Sequence, residues 1–345
     1  SCAAAGIDRW WPATTWFAAS PLERKQQMLL HYIFSWIRRF QWAAVVGVLL
    51  WAPAGLAASG PSVPRSERPQ ILATIKPLAL IARDVAGDLA EVRQLLPDGA
   101  SPHEYALRVS DRRLLDSADI VLWVGPVLEP YLNSAVAGMV PGRALTAADL
   151  PGIVWPESSS DKAGVEQARD EHLWLDPRNA RIIARALGQA LKSHGLGAGA
   201  ESVLAERLRR FEAELDVAEA AIQARLAPLR GTFFASDHDG FGHFANRFGL
   251  RSAGYLRDLS GHAAGARSVA TLMGRTDVRC LVAEPDSRPE RLQRVAAELG
   301  ARFAVVDALG MSIAPAPVAG SGYAHLLQTV ADGFAACLGE PAPAD

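Results

Sequence analysis

From residue 71 onward the chain alternates short apolar runs with segments whose apolar residues recur every three or four positions. ILATI (71–75), EVRQLL (91–96) and DIVLWVG (119–125) read as strands bounded by turn residues. PLALIARDVAG (77–87) reads as a helix opened by Pro77, and SDRRLLDSA (110–118) as a helix capped by Ser110. The same alternation returns further on: TFFAS (232–236), a helix near Gly240 to Arg247, a short strand near Ser252, and a helix from Gly265 to Gly274. CLVAE (280–284), a helix from Pro289 to Leu299, and FAVVD (303–307) complete it. Strands that alternate with helices pair in parallel, so the predicted fold class is α/β, with two parallel-sheet lobes.

Between the two lobes, residues 200–231 place Leu204, Leu208, Phe211, Leu215, Ala218, Ile222 and Leu226 at steps of three and four, until Pro228 and Gly231 end the pattern. This is one amphipathic helix of roughly 40 Å at 1.5 Å per residue. Its regularity would also suit a coiled-coil dimer. The charged face is mixed, however, and a helix between two α/β lobes has a core to bury its stripe against. We therefore read it as a backbone helix within a monomer. The organisation expected is an N-terminal lobe over 71–199, a linking helix over 200–228 and a C-terminal lobe over 229–345. Two lobes imply a cleft, and a helical link resists wide hinge motion.

Charge and composition narrow the partners. With 35 Lys+Arg against 37 Asp+Glu, no global field favours nucleic acid or an anionic membrane. Arg38 and Arg39 precede WAAVVGVLLWAPAGLAA (42–58), an apolar run broken by Pro53 that ends in small residues and is shorter than a membrane span. It reads as a signal peptide cleaved near Ala57 to Ser59, which predicts export to the periplasm. Translation is expected to start at Met28, and 59–70 reads as a polar linker. No cysteine follows the cleavage site to carry a lipid. The mature chain keeps Cys280 and Cys337. In an oxidising compartment a disulfide is expected, worth about 4 kcal/mol for a loop of this length, with two buried thiols as the alternative.

The candidate chemistry lies at strand ends. His103 follows EVRQLL through a turn, His238 directly follows TFFAS, and Asp307 closes FAVVD. Ligands of open parallel sheets bind beyond the carboxyl ends of the strands. His172 stands just before a helix capped by Asp176 and begun by Pro177. Three imidazoles and a carboxylate form a tetrahedral donor set suited to Zn²⁺, and so much nitrogen points away from manganese. Four protein donors leave no open position for a reactive water, so binding is expected rather than catalysis.

At these residues the chain resembles the zinc-binding, cluster A-I solute-binding proteins of bacterial ABC importers, especially the high-affinity zinc-uptake component. The resemblance rests on SPHEYALRVSDRRLLDSADIVLWVGPVLEPYL, EHLWLDPRNARIIARAL, HDGFGHFANRFGL, CLVAEPDSRP and VVDALG, in family order over about residues 70–338. It implies that His103, His172 and His238 are the histidine ligands, and that Asp307 or water takes the fourth position. Manganese-specific relatives carry glutamate where His238 stands, and zinc-type members carry a disulfide where Cys280 and Cys337 fall. The resemblance further implies a periplasmic protein that delivers Zn²⁺ to the permease of an ABC transporter in the inner membrane. The chain departs from many zinc-type relatives in its loop before EHLWLDP, which is short and carries Glu157, Asp161, Glu166, Asp170 and Glu171 but no histidine.

Glu104, beside His103, and Asp239, beside His238, are candidates for carboxylates that orient the ligand imidazoles, with solvated or structural roles as the alternative. Glu284 and Arg288 read as braces of the second lobe. His243 is expected to point away from the metal, His194 to lie near a helix C-terminus, and His262 and His325 to lie on the surface. A zinc hydrolase would need an open metal position with a general base, and HExxH and GxSxG are both absent. An adhesin on the same scaffold, or capture of a haem or corrinoid, are further alternatives.

Overall fold

The computed structural model describes residues 68–156, 169–287, 289–313 and 322–339. The expected signal peptide, the start at Met28, most of the linker, Glu157, Asp161, Glu166 and Arg288 lie outside them. No helix among the described residues is long and apolar enough to cross a membrane.

The first sheet is built from β1 (Gln70–Ala73), β2 (Glu91–Gln94), β3 (Ile120–Trp123) and β4 (Ala144–Thr146), all parallel, in the order β2-β1-β3-β4. Helices α1 (Lys76–Ala86), α2 (Val109–Ser117), α3 (Asn133–Ala137) and α4 (Pro177–Ser193) belong to this lobe. The second sheet uses β5 (Phe233–His238), β6 (Arg251–Arg257), β7 (Val278–Ala283) and β8 (Arg302–Val305), parallel again, in the order β6-β5-β7-β8. Between the lobes runs α5 (Ala198–Leu226), and α6 (Gly242–Phe248), α7 (Ala266–Met273), α8 (Pro289–Glu298) and α9 (Gly322–Leu338) complete the chain. The expected α/β class with two parallel-sheet lobes and one long helix is therefore what the chain adopts.

Most elements fall where the pattern places them, and the differences have local causes. Ser110 does not cap α2: the helix begins one residue earlier, and the Asp111 carboxylate accepts the Arg108 N–H at 2.7 Å while also receiving the Tyr105 hydroxyl at 2.8 Å. A carboxylate in the first turn also suits the helix dipole better than a hydroxyl. The strand near Ser252 is a full seven residues, Arg251–Arg257, because it pairs along most of β5. β5 itself continues to His238, two residues beyond the expected end at Ser236, so that His238 is the last residue of the strand.

The apolar stripe of α5 is buried at Leu204, Phe211, Leu215, Ala218, Ile222 and Leu226. It joins a single apolar core that also takes in Ile71 and Leu122 of the first sheet and Phe234 and Val282 of the second. Each fully buried Leu or Phe contributes about 1.5–3 kcal/mol, so drawing the lobes wholly apart would expose much of what stabilises both. α9 lies in the middle of this core, against α1, α5 and the second sheet. Its Phe334 packs on Phe234, Phe241 and Phe244 with ring centroids 5.0, 5.3 and 5.3 Å away, which fixes the segment that carries His238. The Cys280–Cys337 disulfide ties β7 to α9 from within the core.

Polar links also cross between the lobes. The Trp174 indole donates to the Ala308 carbonyl at 2.9 Å, and the Tyr323 hydroxyl donates to the Trp174 carbonyl. Lys76 Nζ donates to the Met311 carbonyl at 3.1 Å, and the Asp84 carboxylate accepts the Tyr323 N–H at 3.0 Å, at the start of α9.

Candidate metal centre

His103, His172 and His238 come from three loops or strand ends far apart in sequence and meet at one point. One ring nitrogen from each lies within 4.8 Å of the others, the spacing a single bound cation requires. His103 sits in the turn after β2, and His172 in the loop that enters α4. There Asp176 caps the helix through the Arg178 N–H at 2.8 Å and Pro177 holds its first position, as the sequence anticipates. His238 ends β5, next to the point where the strand order of the second sheet reverses between β5 and β7. Two ligands thus belong to one lobe and one to the other.

Burial makes this arrangement costly for the protein alone. His172 and His238 are 3% and 2% exposed, and His103 is half-buried. Nε2 of His103 and both ring nitrogens of His238 are buried and make no hydrogen bond among the described residues. Each such atom costs about 1–3 kcal/mol unless something satisfies it. A cation accepting imidazole lone pairs would do so, and imidazole nitrogens suit borderline cations such as Zn²⁺, Ni²⁺ and Cu²⁺. Burial, reinforced by the neighbouring His172 and His238 imidazoles, pushes His103 from 6.5 down to about 3, so it is neutral and able to ligate.

The carboxylates that steady the rings are Asp170 and Glu284. Asp170 Oδ1 accepts His172 Nδ1 at 2.8 Å and the His172 backbone N–H at 3.0 Å, which leaves Nε2 of that ring for a metal. Burial alone would raise the Asp170 carboxyl; the hydrogen bond and charge interaction with His172 outweigh it and hold the group below its usual range. Glu284 Oε2 lies 3.0 Å from His238 Nδ1. This is ion-pair distance, off the line of a ring N–H bond. Burial lowers the His238 imidazole, but Glu284 more than offsets it and leaves it raised.

The other expected positions fall differently. Asp307 is not one of the group that the structure brings together. Its Oδ1 accepts the Met311 N–H at 2.9 Å, and its Oδ2 accepts the Ser312 N–H and hydroxyl, both at 2.7 Å, so the carboxylate closes its own turn. Glu104 is exposed, without a hydrogen bond to an imidazole. Asp239 is half-buried and its backbone N–H donates to the Arg257 carbonyl at 3.0 Å. Burial, aided by the Asp170 charge, pushes its carboxyl up to about 7. His243 does point elsewhere but is fully buried: its Nε2 lies 2.7 Å from the Asp170 carbonyl, which can only accept, so that nitrogen carries the proton and pins the Asp170 segment. His194 caps the C-terminus of α4, and His262 and His325 are exposed.

Gly240 explains why the turn after β5 carries no side chain. A Cβ there would stand 2.8 Å from His238 Nδ1 and 3.3 Å from His172 Cδ2. The sequence reading undervalued Asp170 and Glu284. The signal for Asp170 was its place two residues before a ligand histidine, and for Glu284 its place at the end of a strand neighbouring that of His238.

The family described as "Zinc-uptake complex component A periplasmic" matches residues 71–337. The high-affinity zinc uptake system protein ZnuA of Yersinia pestis is 29% identical over 293 residues, covering 78% of this chain and 91% of the relative. Among solved structures, a zinc-bound deletion mutant of ZnuA superposes with a TM-score of 0.66 at 21% identity, covering 80% of this chain and all of that one. The periplasmic zinc-binding protein TroA from Treponema pallidum also gives 0.66, at 19% identity and 79% of this chain. At such identities the solved structures speak for the shared fold. The family match extends across both lobes and all three histidines, and the chain belongs to the periplasmic zinc-uptake component A family.

Proposed function

We propose that this protein captures Zn²⁺ in the cleft between its lobes, through His103, His172 and His238, and hands it to an ABC importer in the inner membrane. It acts as a periplasmic, monomeric carrier and not as an enzyme, with the ion as cargo. The observation that supports this best is the convergence of three imidazoles, one from a different lobe, with ring nitrogens of His103 and His238 buried and unbonded. The fourth position falls to water, or to Asp307 if its carboxylate gives up the 311–312 turn. A hydrolytic role would need a base beside a metal-bound water. The two carboxylates nearest the imidazoles, Asp170 and Glu284, instead face ring nitrogens.

Release follows from the split of the ligands between lobes. Zn–N bonds tolerate about 0.2 Å of displacement, so a small shift of one lobe on docking to the permease breaks the coordination of His238 relative to the other two. A lower-affinity state then gives up the ion. The test is elemental analysis of protein purified without added metal, followed by competition between Zn²⁺ and Mn²⁺. Zinc should be retained and preferred. His103→Ala should lower affinity by orders of magnitude with the fold intact, and unchanged affinity in that variant would overturn the assignment.

A further inference from the structure

His238 and Glu284 meet because of strand register. β5 and β7 are parallel neighbours with Ser236 opposite Val282. Two residues further along each chain, on the same face by the two-residue period of extended backbone, come His238 and Glu284. The register, continued one residue past the end of β7 at Ala283, sets the carboxylate beside the ring. The contact is 3.0 Å, with the Glu284 side chain 14% exposed and the His238 side chain 2% exposed.

The wall behind Glu284 is also built. Arg257, from the other neighbour of β5, donates to Asp237 at 2.7 Å and to the Ser287 hydroxyl at 3.3 Å. A carboxylate can only accept, so a neutral imidazole presenting Nδ1 to it carries the proton there and keeps the Nε2 lone pair free. Asp170 does the same for His172 from the other lobe.

We infer that Glu284 is a positioning residue of the metal centre: its carboxylate holds His238 as the Nδ1–H tautomer and turns Nε2 toward the cation. The inference rests on the zinc-binding reading above. It assigns no ligand role to Glu284; the carboxylate acts through the ring, orienting it and increasing its basicity.

The full mature chain and its Glu284→Ala and Glu284→Gln variants are to be titrated with Zn²⁺ against a chromophoric chelator, alongside ¹⁵N-detected assignment of the histidine ring tautomers. Loss of an outer carboxylate lowers metal affinity by about 10–100-fold. The expected result is a loss in that range for Glu284→Ala, partial rescue in Glu284→Gln, and an Nδ1–H tautomer for His238 in the unaltered metal-free protein. Unchanged affinity in a folded Glu284→Ala variant, or an Nε2–H tautomer in the unaltered protein, would overturn the inference while leaving zinc binding in place. Should Glu284→Ala fail to fold, the tautomer of the unaltered chain decides. An unaltered chain that binds no Zn²⁺ would instead overturn the reading on which the inference rests.

Discussion

Gly240 offers the sharpest test of the site, because it touches two ligands and is itself neither donor nor acceptor through a side chain. In Gly240→Ala the new methyl would stand 2.8 Å from His238 Nδ1, 3.1 Å from its Cε1 and 3.3 Å from His172 Cδ2, against an ordinary contact beginning at 3.4 Å. The His238 ring must therefore move by about 0.6 Å, several times the roughly 0.2 Å that metal–ligand geometry tolerates. His172 cannot yield in its place, since Asp170 and His243 hold its segment from behind. His238 can tilt, because its Nδ1 faces the Glu284 carboxylate at 3.0 Å without a ring hydrogen bond that fixes its angle. The metal-free fold should consequently lose only about 1 kcal/mol, the low end for an added core methyl. Zinc affinity should fall by about 10- to 100-fold, or about 1.4 to 2.8 kcal/mol. Chelator competition measures the affinity, and thermal melting of the metal-free protein measures the fold. An affinity within twofold of the unaltered chain, with the fold intact, would show that the metal-bound His238 does not stand where the structure puts it.

Asp307→Ala should cost about 2–3 kcal/mol in stability through the three hydrogen bonds it removes, and reduce zinc affinity less than about tenfold; a collapse as large as that of a histidine variant would make Asp307 a ligand. For the metal-free protein, His103 stays neutral when folded down to about pH 3 but takes up a proton at its ordinary 6.5 when unfolded, so unfolding binds protons between those values. Its contribution to stability is thus present above about 6.5 and lost as pH falls toward 3, and denaturant titrations of His103→Gln should show a shallower loss over that window. Replacing Cys280 and Cys337 together by serine removes the tie between β7 and α9, and should destabilise the protein by about 4 kcal/mol; an unchanged melting temperature would refute that.

The two-lobed α/β plan was legible from the chain because buried parallel strands and amphipathic helices carry different apolar periods, and both lobes repeat them. The stripe from Leu204 to Leu226 announced the long helix for the same reason. β4 went unread, since Ala144–Thr146 is three residues without a period to detect. α9 went unread for the opposite cause: it is buried on several sides, so its apolar residues form no single stripe.

Residue type, with strand-end position for His103 and His238 and a capped helix start for His172, was enough to nominate the three histidines, because imidazole chemistry, helix capping and the geometry of parallel sheets are all local facts. Which groups stand behind those rings is not local. Asp170 rather than Glu104 supports an imidazole because of a two-residue turn, Glu284 because β5 and β7 happen to be neighbours in register, and Asp307 accepts three donors from its own loop. The chain alone determined which donors were available and roughly where each strand would present them. Only the tertiary structure decided how they are shared, because hydrogen bonds and close contacts depend on ångström-scale distances between segments that the sequence separates by scores of residues.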